Sequence, residues 1–208
     1  MRRLLTFVTV FLLLVGMYGF ANAVSINYLY AVNGNEFTSP YSGVIVEDFE
    51  AATELWSWTG NGAIVSGTDS TASAPFGVYE RDTSWYVTVP DDVTSPPPTA
   101  TAVLPGYYTY FGLWWGSVDT YNTLSFYDGN TLVASFTGSA ITSPNAANGN
   151  QTAPTTNLYV NFLDLPAFNK FTMTSTQYAF EADNIAIGNV PIPGALWLLG
   201  SGLVGLLT

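Results

Sequence analysis

The sequence predicts an all-β domain built as an antiparallel β-sandwich, and three observations support this prediction. Short runs of β-branched and aromatic residues are separated by clusters of Gly, Pro, Asn, Asp and Ser, at intervals that suit strands and turns. Two alternating arms flank Asp128-Gly129-Asn130, which is a strong hairpin signal. No long helical period separates the strands, which disfavours a parallel α/β sheet. Of the two common sandwich types, we expect a jelly roll rather than an immunoglobulin-like fold.

The predicted domain covers residues 24–189. Its hairpin arms are expected at 123–127 and 131–137. Other strands are expected at 44–49, 63–66, 85–89, 100–104, 107–111, 157–162, 171–174 and 178–187. Residues 90–98 and 143–154 are rich in turn-forming residues, so we expect them to be long surface loops.

The composition excludes several classes of function. Aromatic residues make up 15% of the chain and charged residues 9%, which argues for a packed core and against disorder. The chain has 15 acidic and 4 basic residues. Outside the leader the only basic residues are Arg81 and Lys170, too few to neutralise a phosphate backbone. We therefore exclude nucleic acid as a partner.

The chain contains neither His nor Cys. Catalytic triads of the usual kind need a His base, and zinc or haem sites need His or Cys ligands, so the sequence disfavours all of these. A glycosidase needs only two carboxylates. Candidates for such a pair are Glu47, Asp48, Glu50, Glu54, Asp119, Glu181 and Asp183. Since acidic residues on a secreted sandwich more often solvate the surface or bind an ion, we expect a protein that is not an enzyme.

Residues 1–23 have the organisation of a secretory signal peptide with a helical apolar segment. The chain begins Met1-Arg2-Arg3, continues with an apolar run over 4–20, and reaches the small-x-small site Ala21-Asn22-Ala23. We expect signal peptidase to cleave between Ala23 and Val24. An uncleaved membrane anchor is the alternative, although the apolar run is short for one.

Residues 190–208 form a second targeting segment. Pro191, Ile192, Pro193 and Gly194 disfavour regular structure, and the uncharged apolar run that follows is short for a membrane-spanning helix. This tail resembles the PEP-CTERM sorting signals of Gram-negative bacteria, although Ile192 stands where the named motif carries Glu. The resemblance implies recognition by the protease-transpeptidase exosortase and transient association with the inner membrane. The alternative is a final apolar strand or helix docked on the domain.

Two segments resemble the opening and closing strands of jelly-roll carbohydrate-binding modules. They are Glu47-Asp48-Phe49-Glu50, with the tryptophans that follow, and Phe180-Glu181-Ala182-Asp183-Asn184. The resemblance implies a structural calcium ion held by Glu50 and Asp183, and carboxylates are the ligands that calcium prefers. Alternatively, these acids line a strand edge or cap turns.

The segment from Tyr110 to Asn122, with its Trp-Trp-Gly-Ser run, is the most distinctive part of the chain. It resembles a motif of one group of exosortase-dependent surface proteins that has no assigned activity. In an extended chain Trp114 and Trp115 face opposite sides, so one can fill the core while the other lies on the surface and stacks on a sugar. Packing of the aromatic residues in the core and across strands is the interpretation that we favour. Asp119 and Asn122 are candidates for hydrogen bonds to the same ligand, or they close the turn before the hairpin.

These features together predict an exported protein of the cell envelope or extracellular matrix in a Gram-negative bacterium, with a structural or adhesive role. A carbohydrate-binding module for exopolysaccharide is the first alternative, and a carboxylate-dependent glycosidase is the second. An exposed row of aromatic residues would favour the former, and two carboxylates in a cleft would favour the latter.

Overall fold

The computed structural model describes residues 23–29, 37–50, 55–77, 79–141, 148 and 150–190. The helices expected in the leader and in the C-terminal tail lie outside these residues. The described part contains twelve strands and one short helix, α1 (Gly138–Ile141). The strands are β1 (Ser25–Leu29), β2 (Ile45–Glu47), β3 (Ser57–Gly60), β4 (Ala63–Ser66), β5 (Trp85–Val89), β6 (Thr99–Tyr108), β7 (Tyr110–Gly116), β8 (Asn122–Asp128), β9 (Thr131–Thr137), β10 (Leu158–Leu163), β11 (Phe168–Ser175) and β12 (Phe180–Gly188).

The strands form two antiparallel sheets. The seven-stranded sheet has the order β1-β10-β7-β12-β5-β4, and β2 pairs with β12 beside β5. The five-stranded sheet has the order β3-β6-β11-β8-β9. One apolar core contains side chains from both sheets, so the predicted all-β sandwich is confirmed.

Most of the predicted strands are present, with shifted ends. The predictions at 63–66 and 85–89 match β4 and β5. The strand expected at 107–111 is instead divided, because β6 continues through Pro105-Gly106 to Tyr108 and β7 begins at Tyr110. The register of β6 with β11 shifts between Phe168 and Lys170, as at a β-bulge. Strands β1 and β3 were not expected, since neither has a clear alternating pattern.

The predicted hairpin is formed by β8 and β9. Asp128 pairs with Thr131, which leaves Gly129 and Asn130 as the turn residues. Gly129 has a φ of 56°, a conformation that favours glycine. The Gly129 amide donates a hydrogen bond to Asn169 Oδ1 at 2.8 Å, which ties the turn to the start of β11.

Alternation along the strands places a group of phenylalanine rings between the sheets. Phe111 of β7 lies 4.8 Å from Phe171 of β11 and 5.0 Å from Phe126 of β8, measured between ring centroids. Phe162 and Phe168 complete the group, and all five side chains are fully buried. Edge-to-face contacts of this kind add to the large apolar area that the rings bury, so this group holds the two sheets together.

The outer face of the seven-stranded sheet is also covered. Phe37 packs on Trp114, with ring centroids 5.0 Å apart, and Tyr41 packs on Tyr110. Gly112 lies between the side chains of Tyr110 and Tyr159, and a Cβ atom at this position would lie 2.8 Å from the Tyr159 hydroxyl oxygen. A glycine is therefore required at this position for the aromatic side chains to lie across the sheet.

We predict that replacing Trp115 with Ala lowers the free energy of unfolding by about 3–5 kcal/mol, because it leaves a large cavity beside the stacked ring of Phe180. Trp85→Ala is the matched control, since the Trp85 side chain is 48% exposed and its loss should cost less than about 1 kcal/mol. Urea denaturation of both variants measures the difference. Equal losses would contradict the assigned packing.

Candidate functional site

The two adjacent tryptophans face opposite sides of β7, as expected, but both are fully buried. Trp115 points into the core and stacks on Phe180, with ring centroids 4.2 Å apart and an interplanar angle of 8°. Trp114 points outward and is covered by Phe37. The burial of both rings agrees with the favoured interpretation, aromatic packing, and leaves neither ring on the surface to stack on a sugar.

Asn122 and Asp119 lie near each other at the end of the sandwich. Asn122 is fully buried: its Oδ1 accepts a hydrogen bond from Ser175 at 2.8 Å, and its Nδ2 donates to the Ala179 carbonyl at 3.4 Å. These bonds use the side chain to join two strand ends. Asp119 Oδ2 accepts a hydrogen bond from the Tyr121 hydroxyl at 2.6 Å. Asp119 also lines a cavity.

That cavity is small and polar, with a volume of about 90 Å³. Its lining combines carboxylates, hydroxyls and an amide from loops that are far apart in the sequence. The residues are Asp69, Ser70, Thr71, Ala72, Ser73, Ser117, Asp119, Tyr121, Gln151, Tyr178, Ala179 and Glu181. A space of this size and polarity suits water or one polar group of a ligand rather than a whole sugar chain.

Glu181 forms the buried wall of this cavity. Its Oε1 accepts a hydrogen bond from the Ser73 amide at 2.8 Å, and its Oε2 accepts one from the Ser117 hydroxyl at 3.1 Å. Burial raises the pKa of Glu181 to about 7, and the negative charge of Asp119 adds to the increase. Because both oxygens of Glu181 are engaged by protein groups, the geometry fits a structural role better than that of a catalytic nucleophile.

A second buried acid, Asp183, lies two residues after Glu181 in β12, and its side chain faces the same side of the sheet as that of Glu181. Its side chain is 2% exposed, and its Oδ1 accepts a hydrogen bond from the Asn184 amide at 2.6 Å. Burial and, to a lesser extent, the nearby carboxylates of Asp82 and Asp48 together raise the pKa of Asp183 to about 9. Asp183 is thus held in the neutral form near neutral pH when no cation is present.

Glu50, the other predicted calcium ligand, lies on the same side of the domain but has a different partner. Its Oε1 accepts a hydrogen bond from the Trp85 amide at 2.6 Å. The carboxylates that act on Asp183 are instead those of Asp82 and Asp48. Glu47, two residues before Phe49, is buried and accepts hydrogen bonds from the amides of Phe49 and Leu55, which ties both residues to the end of β2.

The fit of a cation to these residues depends on Asp82. Its Oδ1 accepts a hydrogen bond from the Ser84 amide at 2.9 Å, but its Oδ2 is buried and accepts none. A shared proton or a cation beside Asp183 would satisfy that oxygen. Within the described ranges, however, no group of three or more carboxylates converges as a metal site. The donor set for calcium is therefore partial, with Asp82 and Asp183 as its centre.

Other cavities lie along the edge where β3 meets β4. One of about 210 Å³ is lined by Trp58, Ile64 and Val87, together with neighbouring small residues. Another, of about 420 Å³, lies between the turn at Gly60–Gly62 and the loop that holds Asp91 and Pro97. Neither contains the residues that the sequence singled out as ligand-binding.

Both predicted processing points fall at the margins of the described residues. Ala23 is exposed and Val24 is half-buried next to β1. The sorting motif Pro191, Ile192, Pro193 and Gly194 lies outside the described residues. Among the described residues, no helix is both long enough and apolar enough to cross a membrane.

Comparisons with protein-family models, with curated proteins and with solved structures found no match to this chain. The site must therefore be interpreted from its own geometry.

Sequence reasoning missed the role of Asp82 and of its neighbours in the covering loops. The available signal was the spacing Asp-x-Ser/Thr, which recurs at Asp69, Asp82 and Asp92. In each case the Asp side chain accepts a hydrogen bond from the amide two residues later, the geometry of an Asx turn. That pattern predicts turn-capping acids, but it does not reveal which of them faces another carboxylate.

We predict that the calcium-free protein loses stability as the pH rises from about 4 to about 9. Folded Asp183 keeps its proton up to its pKa of about 9, whereas an unfolded Asp releases it near pH 4, so the folded state binds more protons across this window. Glu181 acts in the same direction up to about pH 7.

Urea denaturation in a chelating buffer at several pH values measures this slope. Asp183→Asn should flatten it, since Asn resembles the neutral acid, whereas the exposed control Asp91→Asn should leave it unchanged. A stability that rises with pH over the same window would contradict the assignment.

Proposed function

We propose that this chain is an exported cell-surface or extracellular-matrix protein with a structural or adhesive role and no enzymatic activity. In this proposal, signal peptidase removes residues 1–23, and exosortase recognises the tail at residues 190–208. The protein then associates with the inner membrane only before its tail is processed.

The observation that carries this proposal is the position of the folded domain between the two processing points. Strand β1 begins at Ser25, two residues after the expected cleavage, and β12 ends at Gly188, three residues before the sorting motif begins. Ala23 is exposed, as a protease site must be. Removal of both ends would therefore leave every described strand intact, which is what a domain delivered by two successive cleavages requires.

The strand order supports the jelly-roll form of the sandwich. Taken as a set, β5 to β12 place four strands in each sheet, in the orders β5-β12-β7-β10 and β6-β11-β8-β9. Successive strands alternate between the sheets, apart from the β8–β9 hairpin. Two interlocked Greek keys produce this arrangement, which viral capsid, lectin and cupin domains share.

A structural calcium ion belongs to the same proposal. Asp82 and Asp183 would hold it, and Asp48 and Glu50 lie on the adjacent loop. When bound, the ion would supply positive charge to a buried pair of carboxylates that otherwise needs a proton.

The alternatives are supported less well. A glycosidase would need two unengaged carboxylates in a cleft, but both oxygens of Glu181 accept hydrogen bonds from the protein. A carbohydrate-binding module that uses Trp114 or Trp115 is disfavoured, because both rings are buried.

We predict that calcium raises the midpoint of thermal unfolding, more at pH 8 than at pH 5, because the ligands must lose their protons to bind it. Calorimetry with calcium on the order of 1 mM, and with magnesium as the control ion, measures the shift. Asp82→Asn should abolish it and Asp91→Asn should not. An unchanged midpoint in the wild-type protein would argue against a calcium site, and loss of the shift in Glu50→Gln would add Glu50 to the ligands.

The sorting proposal predicts specific termini in a Gram-negative host that contains exosortase. Mass spectrometry should find a mature N-terminus at Val24 and a C-terminus near Pro191–Pro193. In a host that lacks exosortase, the tail should remain. The double variant Pro191→Ala and Pro193→Ala should also keep its tail, whereas Pro166→Ala, on an exposed turn, should be processed normally. An intact tail in the exosortase-containing host would refute the proposal.

A further inference from the structure

The outer face of the five-stranded sheet carries a regular array of hydroxyl side chains. Every strand of this sheet contains two hydroxyl residues separated by one other residue, and the intervening side chain points into the core or is small. The five motifs are Ser57-Trp58-Thr59, Thr99-Ala100-Thr101, Thr123-Leu124-Ser125, Ser135-Phe136-Thr137 and Thr172-Met173-Thr174. We call this surface the hydroxyl face.

The strand register aligns these residues into two rows. The first row crosses all five strands, through Thr59, Thr101, Thr172, Ser125 and Ser135. The second crosses four strands, through Thr99, Thr174, Thr123 and Thr137. Neighbouring strands lie about 4.8 Å apart, and alternate residues of a strand about 6.8 Å apart, so the hydroxyl groups form a two-dimensional lattice.

Hydrogen bonds between neighbouring strands order this lattice. The hydroxyls of Thr99 and Thr174 lie 2.9 Å apart, and those of Ser125 and Ser135 also lie 2.9 Å apart. A hydroxyl can donate one hydrogen bond and accept two, so each pair still has unused capacity. Ser125 is 8% exposed and orients Ser135, whereas the other hydroxyl residues of the rows are half-buried or exposed. A ligand would therefore meet groups that are already held in place, which lowers the entropic cost of binding.

The hydroxyl face differs in charge from the chain as a whole. The chain has a net charge of −11, yet neither row contains a charged residue. The nearest cation is Lys170 at one end, where its ammonium lies 3.0 Å from Asn130 Oδ1 and 5.0 Å from the centre of the Tyr127 ring. The overall charge repels an acidic polymer, whereas the neutral rows match a neutral one.

The chemistry of the hydroxyl face also argues against a protein partner. The centres of protein interfaces are enriched in aromatic residues and Arg, and neither row contains either type. Large exposed apolar side chains on this face occur only toward one end, at Val103 and Tyr107 of β6 and Leu132 of β9, as far as the described residues go. By contrast, the described outer face of the seven-stranded sheet is aromatic and is covered by Phe37 and Tyr41.

We infer that the hydroxyl face binds a neutral polysaccharide. The inference deepens, and rests on, the adhesive role proposed above, since it names the surface and the class of partner. Sugar hydroxyls exchange hydrogen bonds with the two rows, and the exposed ring of Tyr107 offers an apolar edge at one end. Many weak, regularly spaced contacts suit attachment to a polymer, because the repeated sugar units of one polysaccharide can bind several protein molecules at once.

The test uses the exported protein and insoluble polymers as probes. Amorphous cellulose and insoluble β-1,3-glucan are the neutral probes, and cross-linked polygalacturonate is the acidic one. We expect the protein to be depleted from solution by at least one neutral probe and not by the acidic one. The double variant Thr101→Val and Thr172→Val should weaken binding about tenfold, since it removes two hydrogen-bonding groups from the middle of the first row.

Two controls keep the test specific. Thr101→Ser with Thr172→Ser retains both hydroxyls and should keep binding within about threefold of the wild type. Thr83→Val with Thr131→Val removes two exposed hydroxyls outside the rows and should have no effect. Thermal unfolding of each variant checks that it is folded, and valine favours strands, so the fold should persist.

The inference is overturned if no neutral probe depletes the wild-type protein, if the acidic probe binds it better, or if the Val and Ser variants bind equally. It is also overturned if sedimentation shows a dimer that only the Val variant loses, because the face would then join two copies of the chain. None of these results depends on the termini, so normal processing with no binding would refute this inference alone.

Discussion

The position of β12 at the centre of the seven-stranded sheet is the constraint on which the rest of the structure depends. This strand pairs with β7 on one side and with β5 and β2 on the other. Its alternation sends Phe180 and Ala182 into the core and turns Glu181 and Asp183 to the outer face. A bulge at Asn184, where φ is 48°, keeps the later apolar residues pointing inward. One face of β12 therefore contributes to the aromatic core, and its other face carries the buried acids.

This arrangement makes the two sheets chemically different on their outer sides. The seven-stranded sheet is covered by loops, so its outward acids lose water and their pKa values rise. The five-stranded sheet presents hydroxyl rows that the register fixes in position. A buried carboxylate pair is costly unless a proton or a cation is present.

The sequence was informative wherever the signal is local. The Asp128-Gly129 turn and the alternation around it predicted the β8–β9 hairpin, because turn chemistry and the period of two act within a few residues. Packing of the tryptophans was favoured from the sequence, but the cover over Trp114 was not predictable, since Phe37 is far away in the chain and belongs to no periodic pattern. Likewise, Asp183 was singled out as a calcium ligand together with Glu50, whereas its proximity to Asp82 depends on how a loop folds back. Contacts between residues that are far apart in the chain produce no regular pattern in the sequence.

Hydrogen–deuterium exchange of the protein, read by mass spectrometry, tests whether β12 organises the fold. We expect that amides of β7 and β12 exchange most slowly, that protection begins within β1 near Ser25, and that it stops after Gly188. Exchange in β12 as fast as in the loop at residues 90–98 would contradict the claim, because the strand that organises both faces of the sheet would not be a stable part of the fold.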